Sequence, residues 1–245
     1  MIYLVVPLHS RTASFRDPEF QNFHRTLRLP PPATCIGLAG AALGLPAWEA
    51  QAFFAENEWE IGIAGTSRGQ ANDLWKYNDF KDGSILIREY LYDNDFVLVF
   101  GHEEGDKIDR LEAAFARPHY ALSCGNSDSI CSVNIPGMYR TEKADQERTL
   151  FNCYTQGDII SDVLSAVDPE TTTSFSIRTT SLPVAQDLPV RFSYDKKGIR
   201  MIRQRRLVSY VQYPTLLPLP VPGINYQPDA HTDSAAGLFV PLFPL

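Results

Sequence analysis

Short apolar runs and helical patterns alternate along the first half of the chain. Residues 2–8 form a β-branched apolar run, which predicts a buried strand. A loop and three prolines follow, and a segment rich in Gly and Ala then predicts a helix that Thr34 caps and Gly44 ends. Its small residues, including Gly37 and Gly40, predict close packing of this helix against a sheet. Residues 60–64 predict the next strand.

The elements that follow complete an α+β order. Residues 84–92 and 95–100 predict two strands that are joined by a tight turn at Asp93–Asn94. Residues 106–117 predict an amphipathic helix, and residues 120–124 predict a further strand. A polar and aromatic insertion lies between the strands, at about residues 65–84. This order predicts a ferredoxin-like βαββαβ domain with an inserted thumb.

The whole chain predicts three regions. We expect the ferredoxin-like domain at residues 1–133, a smaller β-rich region at 134–211 and a Pro-rich tail at 212–245. Within the second region, residues 150–167 predict partial helix, residues 174–180 a strand and residues 190–211 a hairpin around the turn at 195–198. The apolar tail cannot form its own core, so we expect it to cover the protein's own sheet and to dock its last residues on a partner.

The distribution of charge changes this picture more than the net charge does. A net charge of −7 disfavours general binding to nucleic acid, because phosphate contacts require a local excess of Lys and Arg. However, residues 9–29 hold four arginines against two acids, and residues 191–206 hold seven basic residues against one acid. Local binding sites for nucleic acid are therefore expected in a chain that is acidic overall. The basic hairpin could follow RNA, contact an acidic subunit or remain solvated.

The cysteines and the uncharged runs indicate the compartment. The four cysteines lack paired metal-binding spacing, which favours free thiols in a reducing cytoplasm. The N-terminus lacks the basic region of a secretory signal, and prolines interrupt both long uncharged runs, so that neither predicts a membrane span. We expect a soluble cytoplasmic protein that needs no cofactor and contacts no membrane.

Several segments resemble one family. Ser-Phe-Arg at residues 14–16 and TLRLPPPATCIGLAGAALGL at residues 26–45 resemble the signature region of the fifth CRISPR-associated protein family (Cas-five, or Cas5). The similarity continues in order through NDLW at 72–75, IREYL at 87–91, RP at 117–118 and LSCG at 122–125. It covers roughly the first half of the chain and is closest to the type I-B branch.

The resemblance implies a fold and a function. The fold is the ferredoxin-like one of RNA-recognition motifs (RRM) and of repeat-associated (RAMP) subunits, with a thumb between the second and third strands. The function is that of a non-catalytic subunit of a type I CRISPR interference (Cascade) complex, which binds the 5′ handle of the guide RNA (crRNA) and caps the backbone filament. The implied partners are this handle, the backbone subunit and the large subunit. Contact with target DNA near the target-adjacent motif stays open.

Cations and rings in these segments suit RNA. The arginine fork donates paired hydrogen bonds to phosphate, rings stack on bases, and the first turn of a helix attracts anions. Alternatives stay open for three residues: Phe15 as a plug under the loop, Trp75 as an anchor of the thumb and Arg88 as the partner of an acid. The residues expected to bind RNA are Ser14, Phe15, Arg16, Arg25, Arg28, Thr34, Arg68, Trp75, Lys76, Tyr77 and Arg88.

Candidate catalytic groups are sparse. A metal-independent ribonuclease needs a general base, a general acid and a cation for the phosphate. His24, with Arg25 as its cation, is the leading candidate among five histidines, although a surface or packing role is favoured for it. No HExxH, Walker or GxSxG motif is present in the sequence. We therefore expect no enzyme, with the alternative of an endoribonuclease that processes CRISPR repeat RNA, as the type I-C branch of the family does.

Overall fold

The computed structural model describes residues 1–20, 23–55, 59–78, 83–166, 177–227 and 238–245. Its helices are α1 (Pro32–Leu43), α2 (Ala47–Ala55), α3 (Gly105–Ala116) and α4 (Ile159–Ala166), and a 3-10 turn lies at Ile135–Gly137. Its strands are β1 (Ile2–Ala13), β2 (Phe15–Arg16), β3 (Thr26–Leu27), β4 (Glu60–Asn78), β5 (Gly83–His102), β6 (Cys131–Val133), β7 (Tyr139–Thr141), β8 (Ala144–Leu150), β9 (Cys153–Gln156), β10 (Val184–Tyr194), β11 (Arg200–Val211), β12 (Thr215–Tyr226) and β13 (Leu238–Pro244). None of the described helices is long and apolar enough to span a bilayer.

The sheet order confirms the ferredoxin-like fold. β1 pairs antiparallel with β5 on one side and with β6 and β7 on the other. β5 pairs antiparallel with β4 on its far side. Because α1 connects β1 to β4 and α3 connects β5 to β6, the chain follows the βαββαβ order, and α1 and α3 contact each other. The predicted α+β class is confirmed.

One predicted turn is wrong. Asp93–Asn94 does not join two strands, because both predicted strands belong to the continuous strand β5. Asp93 has a positive φ of 54°, and the Asn94 side chain donates a hydrogen bond to the Ser10 carbonyl oxygen at 3.1 Å. The irregularity stays local to Asp93, because β1 and β4 pair with β5 in unchanged register on both sides of it. The hairpin is formed by β4 and β5 instead.

Two predicted boundaries also differ. Helix α1 begins at Pro32 with Pro31 as the N-cap, and no side chain caps it, so Thr34 lies inside the first turn. Residues 120–124 are a loop with one bridge between Ser123 and Ile130, and the last strand of the domain is β6. Proline suits the first helical position because its missing N–H group has no acceptor there.

The glycines of α1 do not serve the predicted contact with the sheet. A Cβ atom on Gly40 would lie 2.5 Å from the Cβ atom of Ala50, so Gly40 allows α2, rather than the sheet, to approach. Gly37 faces open space. Gly44 ends the helix as predicted, in the left-handed conformation at φ 71°.

The central sheet separates two hydrophobic cores. Side chains of β1 alternate between them: Leu4 and Val6 face the core that includes α1 and α3, whereas Tyr3 and Val5 face the other core. The second core also contains buried residues of α4, β9, β12 and β13. Both faces of the sheet are therefore covered by this chain's own residues.

The C-terminal residues form a strand of the main sheet. β13 pairs with β12 and with the start of β4, where Leu242 lies opposite Gly62. Val240 and Phe243 are 0% and 1% exposed. A Cβ atom on Gly62 would lie 2.8 Å from Val240 Cγ1, so this glycine lets β13 approach closely. The last residues thus complete the protein's own sheet, and their docking on a partner stays a prediction.

The middle region agrees with the sequence in two places. β10 and β11 form the predicted hairpin, and α4 is the predicted partial helix. Of the strand predicted at 174–180, residues 174–176 lie outside the described residues. One sheet path runs from β10 through β11, β9 and β4 to β13, so pairing is continuous across the predicted boundary at residue 133. The region boundaries at 133 and 211 stay predictions.

Candidate nucleic-acid interface

The thumb is a two-stranded extension of the β4–β5 hairpin. Pairing of β1 with β5 ends where Ala13 meets Leu91, whereas β4 and β5 remain paired as far as Asn78 and Gly83. We call the extension at residues 72–78 and 83–89 the thumb. Neighbouring residues of a strand point to opposite faces, so the thumb has two distinct surfaces.

The basic loop between β1 and α1 is closed by the short β2–β3 ladder. Phe15 pairs with Leu27 and Arg16 pairs with Thr26 in this ladder. The Phe15 amide donates a hydrogen bond to Thr26 Oγ1 at 2.9 Å. This ladder brings the two ends of the basic loop side by side. Arg16 lies at one end of the loop, and Arg25 lies at the other, next to Thr26.

The same loop is bonded to the thumb. The His24 amide donates to the Ile87 carbonyl oxygen at 3.2 Å, and the Glu89 amide donates to the His24 carbonyl oxygen at 2.8 Å. The Thr26 amide donates to Glu89 Oε2 at 3.1 Å, and the Ser14 hydroxyl donates to the Glu89 carbonyl oxygen at 2.8 Å. The loop therefore occupies the edge of β5 beyond the end of β1, and loop and thumb form one unit.

Arg88 joins the thumb to a second loop. Its Nε and Nη2 atoms donate to Asp73 at 3.1 and 2.6 Å, and its Nη1 atom donates to Asp128 at 2.9 Å. The guanidinium also lies 5.4 Å from the centre of the Trp75 ring, and Arg88 is 8% exposed. The hydrogen bonds to Asp73 are the main reason that the pKa of Arg88 lies above its ordinary value.

This geometry contradicts the predicted RNA contact of Arg88. Three of the five N–H donors of the guanidinium bond to two carboxylates, and Arg88 is buried, so the fork is not presented to a phosphate. The alternative expectation for Arg88, that it pairs with an acid, agrees with the observed hydrogen bonds to Asp73 and Asp128. Arg88 is a structural link between β4, β5 and the loop at residues 124–131.

Phe15 and Ser14 also lie inside the protein. Phe15 is 2% exposed, and its ring contacts the ring of Phe96 edge-on at 5.6 Å. Ser14 is 5% exposed, and its hydroxyl is used by the Glu89 carbonyl group. The base-stacking role predicted for Phe15 is wrong, because the ring plugs the space beneath the loop. Both residues hold the loop in place.

Four of the side chains around the loop form a surface of cations and rings, which we call the loop–thumb surface: Arg16, His24, Arg25 and Trp75. Arg16 and Arg25 are exposed, and Trp75 is 38% exposed. The rings of His24 and Trp75 lie 5.7 Å apart. The Arg25 guanidinium lies 5.1 Å from the Phe20 ring centre. Folding thus brings together groups that are about fifty residues apart in sequence.

The pKa of the His24 imidazole lies below its ordinary value, which favours the neutral form. Partial burial is the largest cause that lowers the pKa of His24, and the positive charges of Arg16 and Arg88 lower it further. Trp75 was predicted either to bind RNA or to anchor the thumb, and its ring contacts place it between the loop and Arg88 while part of it stays exposed.

The other predicted residues lie apart from this surface. Arg28 lies near Tyr210 at the end of β11. Burial raises the pKa of Tyr210 to about 12, and the positive charge of Arg28 acts in the opposite direction, lowering this pKa.

Thr34 is half-buried, and its amide donates to the Pro31 carbonyl oxygen at 2.8 Å. Arg68 forms a weak pair with Asp93 at 3.6 Å. Alternation places Lys76 on the thumb face opposite Trp75. The Tyr77 side chain lies outside the described part of the chain.

Gly125 and its loop are important positions that the residue patterns alone did not single out. The Ser14 amide donates to the Cys124 carbonyl oxygen at 3.1 Å, which holds the two loops together. Gly125 has φ 97°, and a Cβ atom there would lie 1.9 Å from the Ser14 carbonyl oxygen. The family resemblance already included Gly125 and Asp73, but nothing in their local sequence indicates what they contact.

The comparisons with known proteins agree with this architecture. A family model described as CRISPR-associated protein (Cas_Cas5) matches residues 3–206. The chain belongs to the Cas5 family of CRISPR-associated proteins. No curated protein matches this Cas5 chain.

Solved structures that are similar to this Cas5 chain share little sequence with it. A structure described as a Cas protein is 20% identical, with a TM-score of 0.36, and the match covers 51% of this chain and 57% of that one. A chain of a CRISPR RNA-guided surveillance complex is 17% identical, with a TM-score of 0.49 and coverage of 86% and 91%. A CRISPR protein from Archaeoglobus fulgidus is 11% identical, with a TM-score of 0.47 and coverage of 98% and 99%.

Proposed function

We propose that this Cas5 chain is a non-catalytic subunit of a type I CRISPR effector complex. In this role it binds the 5′ handle of the guide RNA and caps the backbone filament in the cytoplasm. The observation that carries the proposal is the loop–thumb surface, where two exposed arginines and a partly exposed tryptophan meet. Cations along a backbone path beside a ring are the usual chemistry for binding a single-stranded nucleic acid.

The bonding of the loop supports this role. Binding costs less when the contacting groups are already held in place. The loop is held by its own ladder and by hydrogen bonds to Glu89 and Ile87, so Arg16 and Arg25 start from fixed backbone positions. In the proposal these two arginines bind phosphates, and the exposed part of Trp75 stacks on a base.

The opposite thumb face suits the backbone subunit. Leu74 is 74% exposed, Ile85 is 69% exposed and Ile87 is 46% exposed. Leu74 pairs with Ile87, and Lys76 pairs with Ile85, so these side chains share one face. An exposed apolar face with a cation at its edge is typical of a protein contact. The proposal therefore assigns the Trp75 face to RNA and the Leu74 face to the neighbouring subunit, with the large subunit as a further partner.

The first test removes the two exposed arginines. We expect the complex assembled with Arg16→Ala/Arg25→Ala to retain at least about ten-fold less guide RNA, because each charge-assisted hydrogen bond is worth about 1.5–3 kcal/mol. The amount of RNA per complex is measured by ultraviolet absorbance ratio and by a denaturing gel.

A matched control distinguishes the loss of contacts at the loop–thumb surface from a general loss of positive charge. Arg117→Ala/Arg148→Ala also removes two exposed arginines, and both lie outside the loop–thumb surface. This control is expected to retain normal RNA. Normal RNA in the Arg16→Ala/Arg25→Ala complex would refute the proposed handle site.

A second candidate function is cleavage of CRISPR repeat RNA, and the state of His24 favours it. A neutral imidazole next to Arg16 has the chemistry of a general base beside a phosphate-binding cation. A general acid is also required, and the other groups already described around His24 are Arg88 and Trp75, neither of which gives up a proton readily at neutral pH. The non-catalytic role is therefore preferred.

Incubation with repeat RNA and a chelator distinguishes the two candidates. We expect the purified chain to leave the RNA intact, as judged by a denaturing gel. A single cut that disappears in His24→Ala, and persists in the exposed-histidine control His119→Ala, would establish the endoribonuclease instead.

A further inference from the structure

A cleft lies between α2 and the tip of the β10–β11 hairpin. It has a volume of about 400 Å³ and is lined by Trp48 of α2 and by residues of the hairpin. Trp48 is 59% exposed, which is unusual for a residue type that is highly buried on average. Phe192 and Tyr194 are half-buried in the facing wall. The cleft therefore presents three aromatic side chains of this chain to solvent.

One cation lines the same cleft, and two more lie beside it. Lys196 and Lys197 lie in the turn, and the Arg200 guanidinium lies 4.4 Å from the centre of the Phe192 ring. Within the described ranges, no carboxylate lies at ion-pair distance from these three cations. The local charge is thus strongly positive, although the whole chain has a net charge of −7.

The one acid in the turn is used by the backbone. Asp195 Oδ1 accepts hydrogen bonds from the Lys197 amide at 2.8 Å and from the Ile199 amide at 2.7 Å. The carboxylate therefore shapes the turn and presents Lys196 and Lys197 outward. Gly198, at φ 78°, completes the turn and has open space beside it.

The two walls are held at a fixed separation by Gln51. Its side-chain amide accepts a hydrogen bond from the Phe192 amide at 3.1 Å and donates one to the Val190 carbonyl oxygen at 3.4 Å. Gln51 thereby acts like one residue of a neighbouring strand. Trp48 and Gln51 are three residues apart on α2, so they share the helix face that meets β10. A fixed cleft lowers the cost of ordering on binding.

This cleft is separate from the loop–thumb surface. The cleft is lined by Trp48 of α2 and by residues of the β10–β11 hairpin, whereas the loop–thumb surface consists of residues of the basic loop and of β4. The two sites share no residue. A ligand in the cleft therefore uses different residues from a guide-RNA handle held by Arg16 and Arg25.

We propose that the cleft between Trp48 and the β10–β11 hairpin is a second binding site for a single-stranded polynucleotide. An unstacked base lies between Trp48 and the Phe192–Tyr194 wall, and Lys196, Lys197 and Arg200 contact the flanking phosphates. Rings supply stacking that tolerates any base, and cations follow the backbone. An acidic protein would satisfy the cations but would leave Trp48 and the cleft unexplained. The inference does not require the proposed handle site to be correct.

Fluorescence anisotropy of the full-length chain with labelled oligouridine or oligodeoxythymidine of about ten nucleotides tests the site. We expect Trp48→Ala to weaken binding about ten-fold, and Trp48→Phe to bind nearly as tightly as the unaltered chain, because a ring is retained. Tyr120→Ala, which removes another exposed ring (56% exposed), should have no effect. Thermal unfolding of each variant checks that it is folded.

The cations are tested by salt. Lys196→Ala/Lys197→Ala/Arg200→Ala should weaken binding at low salt and reduce the slope of log affinity against log salt by about 2, since each contact with a single strand contributes about 0.7. Arg117→Ala/Arg148→Ala is the control, because both side chains are exposed and lie outside the cleft. Tighter binding of RNA than of DNA would identify a guide-type ligand. Tighter binding of DNA would identify a displaced DNA strand, and either result supports the site.

Three outcomes would overturn the inference. One is unchanged affinity in both Trp48→Ala and the triple variant. Another is equal loss in Trp48→Phe and Trp48→Ala, which would exclude stacking. The third is normal binding of the oligonucleotide by variants that fail to assemble with partner subunits, which would identify the cleft as a protein contact. If only Arg16→Ala/Arg25→Ala lost binding, and the cleft variants kept it, the proposed handle site would stand and the proposed cleft site would fail.

Discussion

Replacing Gly125 by alanine is expected to lower the free energy of unfolding by about 3 kcal/mol or more. The new Cβ atom would lie 1.9 Å from the Ser14 carbonyl oxygen, and alanine would also have to adopt φ 97°. The obstacle is backbone, which cannot rotate away as a side chain can. Ser14 itself is held by the hydrogen bond from its amide to Cys124 and by the one from its hydroxyl to Glu89. Urea denaturation of the purified chain measures the change.

Gly198→Ala is the matched control for that prediction. Gly198 also has a positive φ, 78°, but no other group lies within 4 Å of the position that the new Cβ atom would take. Its cost should therefore be limited to the left-handed conformation, about 1 kcal/mol. If the two variants lost equal stability, the steric conflict with Ser14 would be excluded as the cause.

The loss in Gly125→Ala should also reach the loop–thumb surface. The contact between Gly125 and Ser14 lies where β1 ends and the basic loop begins. Displacing Ser14 would disturb the first anchor of that loop, and Arg16 is only two residues away. We therefore expect less guide RNA in complexes assembled with this variant, even when it is folded.

Arg88→Ala is expected to reduce retention of guide RNA about ten-fold without removing any contact to RNA. The arginine holds Asp73 of the thumb and Asp128 of the neighbouring loop, and it lies over the Trp75 ring. Without it, Asp73 and Asp128 lose the cation that they share, and the thumb loses its link to the loop at residues 124–131. Because both carboxylates are partly exposed, the expected loss of stability is moderate, about 2 kcal/mol.

Two further variants test this reasoning. Arg88→Lys should not restore retention, because a lysine cannot make the paired hydrogen bonds to Asp73 together with the one to Asp128. Arg140→Ala removes an arginine that also pairs with two acids, Asp109 and Glu112, but links β7 to α3. It should leave RNA retention unchanged. The guide RNA per complex and the thermal unfolding of each chain are the measurements, and full retention in Arg88→Ala would contradict the positioning role.

Local patterns were reliable where a residue's nearest neighbours decide its conformation. The apolar spacing of Ile108, Leu111 and Phe115 predicts α3, and all three are fully buried. Gly44 ends α1 as predicted, because only a left-handed residue can turn the chain there at low cost. The turn at 195–198 was also evident, since an aspartate followed by a glycine three residues later is a turn pattern.

The same local signals misled where distant strands compete. Asp93–Asn94 has the composition of a hairpin turn, yet β1 and β4 pair with β5 on both sides of it and keep the strand continuous. The last residues of the Pro-rich tail pair with β12 nearby, and they also pair with β4 from about 180 residues away. A local pattern states which conformations a segment can adopt, and pairing with distant strands selects among them.

The ferredoxin-like order, the family and the general location of the cations could all be predicted from the residues in order. The difference between Arg16 and Arg88 could not, because both are arginines in segments of alternating pattern near aromatic residues. It took the folded chain to show that Arg88 is enclosed by Asp73 and Asp128, 15 and 40 residues away, while Arg16 stays exposed. The availability of a charge depends on which other groups fold around it, and that information lies in long-range contacts rather than in the residue or its neighbours.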